Sequence, residues 1–326
     1  MSTEIEQDEP GTNIKIIGIG DDGLCFIRTL IESGLSGPEF IVADTDVACL
    51  AESNAAIKIQ LEKPRFSTFV EPESARCAAR QSQGAIETAL AGAQMLIIEC
   101  AIGEEIASGA ASAVAQIART MGILTLALVR VPFSSIFRLH QRIAEAGIAD
   151  LAEHVDLLIP ISPESLLDEK GLEMDVDMLL ARFDDLVTSV VTGLISLLLR
   201  VSLVCVDFED VRTVMGEMGL GAAGIGTATG EGRAKRAADQ AVNSASLDPK
   251  VLGSARGCLV QIWTSDKTPN RVRMKDVNDV INSVKAHAAK DTHLIFGTVY
   301  ANLGDALRVV VIACGIEQSP PHPTLA

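Results

Sequence analysis

Apolar residues in this chain fall into short continuous runs, separated by segments in which they recur every three to four positions. "NIKIIGIG" is a run of the first kind and closes on glycine; "FIRTLIESGL" after it has helical spacing and ends at Gly34. "EFIVADTD" is a second run, ending in acids. "MLIIECAIG", "ILTLALVRVPF" and "VDLLIPIS" are three more, with the helical "ASAVAQIARTMG" between the first two of them. Runs of this length suit strands buried on both faces, and strands alternating with helices predict a doubly wound parallel sheet.

The longest apolar stretch runs from Leu186 to Val206, interrupted by Arg200 and flanked by Asp184 and Asp185. That pattern predicts a buried central helix running into a strand, not a membrane span. Beyond it the chain reads as a second unit: "GCLVQIW", "HLIFGTVY" and "LRVVVIACG" are strands, with the helix "MKDVNDVINSVKAHA" ahead of the last two. The expected fold is α/β: a doubly wound parallel sheet of nucleotide-binding type, a long central helix, and a smaller α/β C-terminal domain.

Composition narrows the partners. The 326 residues are 48% hydrophobic, so a full core is available. Twenty-seven basic and 43 acidic side chains leave a net charge of −16, which argues against nucleic acid and against anionic lipid. Seven scattered cysteines form no C-x-x-C pair, as expected for reduced thiols and no metal site. The segment "MSTEIEQDEPGT" is acidic and has no apolar leader, so a cytoplasmic location is expected.

The first candidate chemistry is "GIGDDG", Gly18 to Gly23. It is a formal G-x-G-x-x-G between a strand and a helix, with Asp44 ending the next strand. This is the arrangement of a dinucleotide site, and an NAD-dependent oxidoreductase is one reading of it. Asp21 and Asp22 would then lie beside the pyrophosphate, and fingerprints this short arise by chance. A second glycine-bearing turn, "CAIGEEIASG", follows the run that ends near Cys100. It sets Glu104 and Glu105 where a helix start would meet a phosphate.

Residues 206–242, "VDFEDVRTVMGEMGLGAAGIGTATGEGRAKRAADQAV", closely resemble FtsZ, the bacterial homologue of tubulin. The resemblance extends through "IKIIGIG", "IESGLSGPEFIVADTD", "VPFS", "HVDLLIPIS" and "IFGTVYANLGDALRVVVIA", in the family's order. It implies a GTPase domain over 13–180 after an acidic, disordered segment 1–12, then a central helix and the start of an inter-subunit loop over 181–205. A C-terminal domain would follow over 206–314 and a short tail over 315–326. It also implies head-to-tail filaments in which one subunit's nucleotide is hydrolysed with acids from the next.

Against that family the nucleotide loops are degenerate. The signature GGGTGTG is matched by Gly103, Glu104, Glu105, Ile106, Ala107, Ser108 and Gly109, so only the end glycines survive. A unit charge ~4 Å from a phosphate oxygen costs about 4 kcal/mol at an effective dielectric of about 20. That is roughly a thousandfold in affinity. The first loop keeps Gly18, Gly20 and Gly23 but carries Asp21, Asp22 and Leu24. The third, "RFSTFVEPESA", has no glycine, Ile136 replaces a ribose-contacting glutamate, His140 an arginine, and Pro163 an asparagine that reads guanine. Thr45, Asp46 and the base-contacting Asp184 match the family.

The loop that serves a neighbour is retained. Asp207 and Asp210 match the acids that polarise the attacking water in the adjoining subunit, although Cys205 replaces an asparagine. Their spacing of three also suits a helix N-cap, and capping alone would preserve both.

The expected function is an FtsZ-like cytoskeletal protein of cell division that has lost its GTPase, needs no cofactor, and docks on FtsZ or another FtsZ-like subunit, with self-association open. The alternative is a divergent GTPase that binds GTP or GDP and polymerises by itself. No tail long enough to recruit membrane adaptors follows the last strand, so no direct membrane contact is expected. Trp263 is expected to pack in the core or at the domain surface, His287 and His293 to lie at the surface, and Mg²⁺ or Ca²⁺ among the acids is a lesser reading.

Overall fold

The computed structural model describes residues 12–62, 72–133, 138–167, 173–199, 206–216, 218–244, 246–265, 267 and 270–317. One half of the sheet comprises β1 (Ile14–Ile19), β2 (Glu39–Asp44), β3 (Ile57–Gln60), β4 (Met95–Ala101), β5 (Leu124–Arg130) and β6 (Leu157–Ile161). The other comprises β7 (Gly219–Ala228), β8 (Gly257–Thr264), β9 (His293–Tyr300) and β10 (Leu307–Cys314). The order is β3-β2-β1-β4-β5-β6-β7-β10-β8-β9. β1 to β6 pair in parallel throughout, in the register Ile14↔Met95 and Leu126↔Leu157. β7 joins this half through Leu157↔Gly219 and Leu158↔Leu220, then pairs antiparallel with β10.

Helices cover both faces of the first half. One face carries α1 (Gly20–Glu32), α2 (Val47–Glu52) and α7 (Val176–Leu199). The other carries α3 (Pro72–Gln81), α4 (Gln83–Leu90), α5 (Glu105–Thr120) and α6 (Arg138–Ala152). The expected doubly wound sheet is therefore present, with α7 as the central helix, starting at Val176 and so ahead of the expected residue 181. Whether it runs into a strand lies outside the described residues. α8 (Phe208–Met215), α9 (Arg233–Val242), α10 (Pro249–Ser254) and α11 (Met274–Lys285) belong to the second half, where the last three pack on one face.

α7 ties the halves together because one apolar cluster runs beneath it across both. Gln261 of β8 is fully buried and donates to the Val190 carbonyl at 3.2 Å, and Arg308 of β10 pairs with Asp185 at 2.8 Å. Trp263 is a core residue, as expected, its indole N–H donating to Gln261. Two strands were not anticipated. β3 is four residues at the sheet edge. β7 is glycine-rich, with Ile225 and Thr227 its two β-branched residues, and α9 lies directly on it: a Cβ at Gly226 would stand 2.1 Å from the Ala237 carbonyl oxygen. Close helix contact, not strand propensity, selects those residues.

Candidate functional site

The strand order reverses direction between β1 and β4, and α1 and α5 begin there, at the carboxyl ends of the strands. A crevice at such a point is the usual ligand site of an open α/β sheet. Gly18 and Gly23 are explained by packing alone: a Cβ on Gly18 would lie 2.1 Å from the Gly23 carbonyl oxygen. Asp21 and Asp22 occupy the first turn of α1, and Glu104 is the N-cap residue of α5. At both helix starts the positive dipole end faces this chain's own carboxylates. The Gly103 N–H is engaged internally, donating to the Ser108 hydroxyl at 2.8 Å, and the methyl of Ala107 is fully buried. Gly109 is buried within α5; the side chain of Glu105 lies outside the described residues.

The crevice has two compartments. The outer one, about 310 Å³, is edged by Gly20, Asp21, Asp44, Asp46 and Glu104. Asp44 accepts the Asp46 N–H at 2.8 Å, Asp46 caps α2 by accepting the Ala48 N–H at 2.8 Å, and Thr45 is buried beside them. Burial raises the Asp44 carboxyl, the Asp46 amide pulls it back, and Asp21 pushes it further up. Among the described residues no grouping of three His, Cys, Asp or Glu side chains could hold a metal ion.

The inner compartment, also about 310 Å³, is mainly apolar, with Ile102, Pro132, Leu179 and Phe183 in its walls. Pro163 lines it from a short 3-10 helix (Pro163–Leu166), and His140 from the start of α6. Arg130, at the end of β5, enters from below. Its guanidinium pairs with Asp22 at 3.0 Å and lies over the Phe183 ring, 4.2 Å from the centroid.

Behind the floor stands Glu99 of β4, fully buried, with neither carboxyl oxygen hydrogen-bonded. Burial, offset by Arg130 and reinforced by Asp22, Asp184 and Glu104, pushes it up to about 8. Glu104 keeps an exposed edge, yet partial burial of its carboxyl, with Asp22 and Asp21 close by, pushes it up to about 7. Asp184, half-buried on α7, is raised by burial against the pull of Arg130.

Sequence reasoning passed over Arg130, Glu99 and Phe183. The signal was present, because "MLIIECA" and "LTLALVR" each set one charge inside an otherwise apolar run. A charge in a buried strand implies a partner or a shifted pKa. Of the other expected residues, Ile136, Cys205 and most of the third loop (residues 65–71) lie outside the described residues, as do 1–11 and 318–326.

Asp207 and Asp210 lie at the start of α8. They form a capping box: Asp207 accepts the Asp210 N–H at 2.7 Å, and Asp210 accepts the Asp207 N–H at 3.2 Å. Both are exposed. The crevice lies at the beginning of α7, whereas Leu199 at its far end packs where a Cβ on Gly37 would be, ahead of β2. α7 has 24 residues, about 36 Å at 1.5 Å each, and the capping box follows that far end. His293 is exposed and His287 half-buried.

Two family models match the chain: the GTPase domain of the tubulin/FtsZ family over residues 13–170, and the C-terminal domain of the FtsZ family over residues 219–317. Cell division protein FtsZ of Neisseria meningitidis serogroup A is 36% identical over 312 residues, which span 94% of this chain and 78% of that protein. The FtsZ of Neisseria gonorrhoeae matches to the same extent. An empty FtsZ dimer from M. jannaschii superposes with a TM-score of 0.86 at 28% identity, covering 95% of this chain and 90% of that one. CetZ2 from Haloferax volcanii, solved as a GTPgS-bound protofilament, shares the fold with a TM-score of 0.75 at 17% identity over 94% of each chain.

Proposed function

The chain belongs to the tubulin/FtsZ family, and on that premise we propose that it is an FtsZ-like cytoskeletal subunit that works without a nucleotide of its own. The observation that carries the reading is the pair of helix starts. In a phosphate site the amino ends of α1 and α5 offer backbone amides to an anion. Here Asp21, Asp22 and Glu104 stand at those ends, and the Gly103 amide is already bonded to Ser108. The one arginine or lysine lining the inner compartment among the described residues, Arg130, is engaged by Asp22. These features argue against GTP in the crevice, and no hydrolytic step is assigned to it.

The opposite end keeps what a partner's site would use. Asp207 and Asp210 are exposed, and a capping box leaves each carboxylate further lone pairs to offer. The subunit docks this end on the nucleotide-bearing face of an authentic FtsZ subunit and presents its own acidic crevice outward. The next subunit's acidic loop is repelled by that face, so the filament stops there.

The test is calorimetry with GTP and Mg²⁺, followed by titration of the protein into polymerising FtsZ from the same source. No binding at micromolar GTP, and shortened filaments at substoichiometric ratio, are expected. Micromolar affinity with turnover abolished by Asp207→Ala would establish the divergent GTPase instead. Uniform incorporation along filaments would overturn the capping role.

A further inference from the structure

On the reading that no nucleotide occupies the crevice, we propose that the inner compartment binds a small neutral molecule: an apolar body of one ring or a short chain, ending in a primary carboxamide. The volume, about 310 Å³, lies at the small end of the range for ligand sites. Ile102, Pro132, Leu179 and Phe183 make the walls apolar. Such walls select an apolar body and leave the head group to the few polar side chains of the lining.

Those side chains carry both signs. Among the described residues of the lining the charged ones are Asp22, Glu104 and Arg130, with His140 exposed beside them. A guanidinium has five N–H donors. Asp22 accepts from Nη1 at 3.0 Å, while the Nε–H of Arg130 is buried with no acceptor. The guanidinium is held over the Phe183 ring, 4.2 Å from its centroid, a contact that uses no N–H. Arg130 can therefore still donate. Asp22 can still accept, because the ion pair occupies one of its two oxygens. Burial beside Asp22 and Asp21 pushes the Glu104 carboxyl up to about 7, so at slightly acid pH it is mainly neutral. Glu99 stands behind the floor and outside the lining; burial pushes it up to about 8, so at neutral pH it adds little charge.

A charged head gains one partner here and meets a like charge in the other. An ammonium faces Arg130, a carboxylate faces Asp22, and either must shed its water among apolar walls. A primary carboxamide matches the Arg130–Asp22 pair without a net charge: its carbonyl accepts from the guanidinium and its N–H donates to the carboxylate. Val176 and Leu180 at the start of α7 are 69% and 42% exposed, and both line the compartment. They offer an apolar path from solvent to the floor.

The experiment is a ligand-observed NMR titration of the full chain at pH 6 with 2-phenylacetamide, 2-phenylacetate and 2-phenylethylammonium, which share one carbon frame. GTP with Mg²⁺ forms a separate arm. The amide is expected to bind roughly tenfold more tightly than either ion, the scale of one hydrogen bond to a charged group. Asp22→Asn frees Arg130 of its carboxylate, so 2-phenylacetate should bind that variant about tenfold more tightly than it binds the parent, a gain that misfolding cannot produce. The ranking in the parent stands as a test without any variant. No binding of the amide at millimolar concentration, an ion binding as tightly as the amide, or no gain for the carboxylate in Asp22→Asn overturns the proposal while the nucleotide-free reading stands. Micromolar binding of GTP overturns that reading and the proposal with it.

Discussion

Carboxylates at the two ends of α7 are held in opposite ways. At its beginning, Asp22, Glu99, Glu104 and Asp184 crowd around Arg130, and burial raises Glu99, Glu104 and Asp184. Beyond its other end, Asp207 and Asp210 are exposed, and each accepts a backbone N–H of α8. The same chemical group is costly in one place and stabilising in the other, because Glu99 is buried without a donor while Asp207 and Asp210 each have a backbone amide aimed at them. A crowded acidic site and a relaxed one thus lie at opposite ends of the same helix.

The comparison breaks most visibly at Arg130. Arg130→Ala leaves Asp22 without its ion pair and removes the cation facing Glu99, Glu104 and Asp184. A loss of ~2–3 kcal/mol is expected, the range for a charged hydrogen bond left unmet. Urea denaturation at pH 7.5 measures it; a midpoint equal to the parent's would mean that the acids are relaxed without Arg130.

The next effect is a pH slope. The carboxyl of Glu99 lies near 8 in the folded chain against an ordinary 4.5. Its neutral form is favoured by folding, so its contribution is fully present below about pH 4.5 and is lost progressively as pH rises to 8, where the folded carboxyl also ionises. Glu104 adds a smaller loss of the same sign up to about pH 7. Denaturation midpoints of Glu99→Gln should therefore fall less steeply between pH 5 and 8 than those of the parent, leaving the variant the more stable at pH 8. Parallel slopes would show that Glu99 titrates like an exposed carboxyl.

At the α8 end the effects are smaller and separate two roles. Asp207→Ala removes a cap and should cost about 1 kcal/mol, while Asp207→Asn keeps an accepting oxygen and should stay within ~0.5 kcal/mol. If the asparagine variant is stable but no longer shortens FtsZ filaments, the charge serves the partner. If it shortens them as the parent does, the acid is only a cap.

Much of the fold was legible in the chain. The apolar runs of β1, β2, β4, β5 and β6 and the helical spacing between them specify a parallel sheet covered on both faces, since only burial on both sides accommodates continuous apolar strands. The acids at the starts of α1 and α5 were legible for the same local reason: a glycine turn after a strand places the next residues at a helix N-terminus. β7 was not, because its glycines are selected by α9 packing on them, a contact between distant elements.

Nor was the inner compartment. Glu99 and Arg130 are 31 residues apart, and Asp22 and Asp184 come from helices that reach the same floor only when α1 and α7 share one face of the sheet. Sequence by itself determined which residues could be charged, which strands had to be buried, and that the two helix starts would be acidic, because those are properties of neighbours along the chain. Tertiary structure alone decided that a fully buried Glu99 and three part-exposed carboxyls would gather around one guanidinium. Field and desolvation depend on distances through space, which no local pattern encodes.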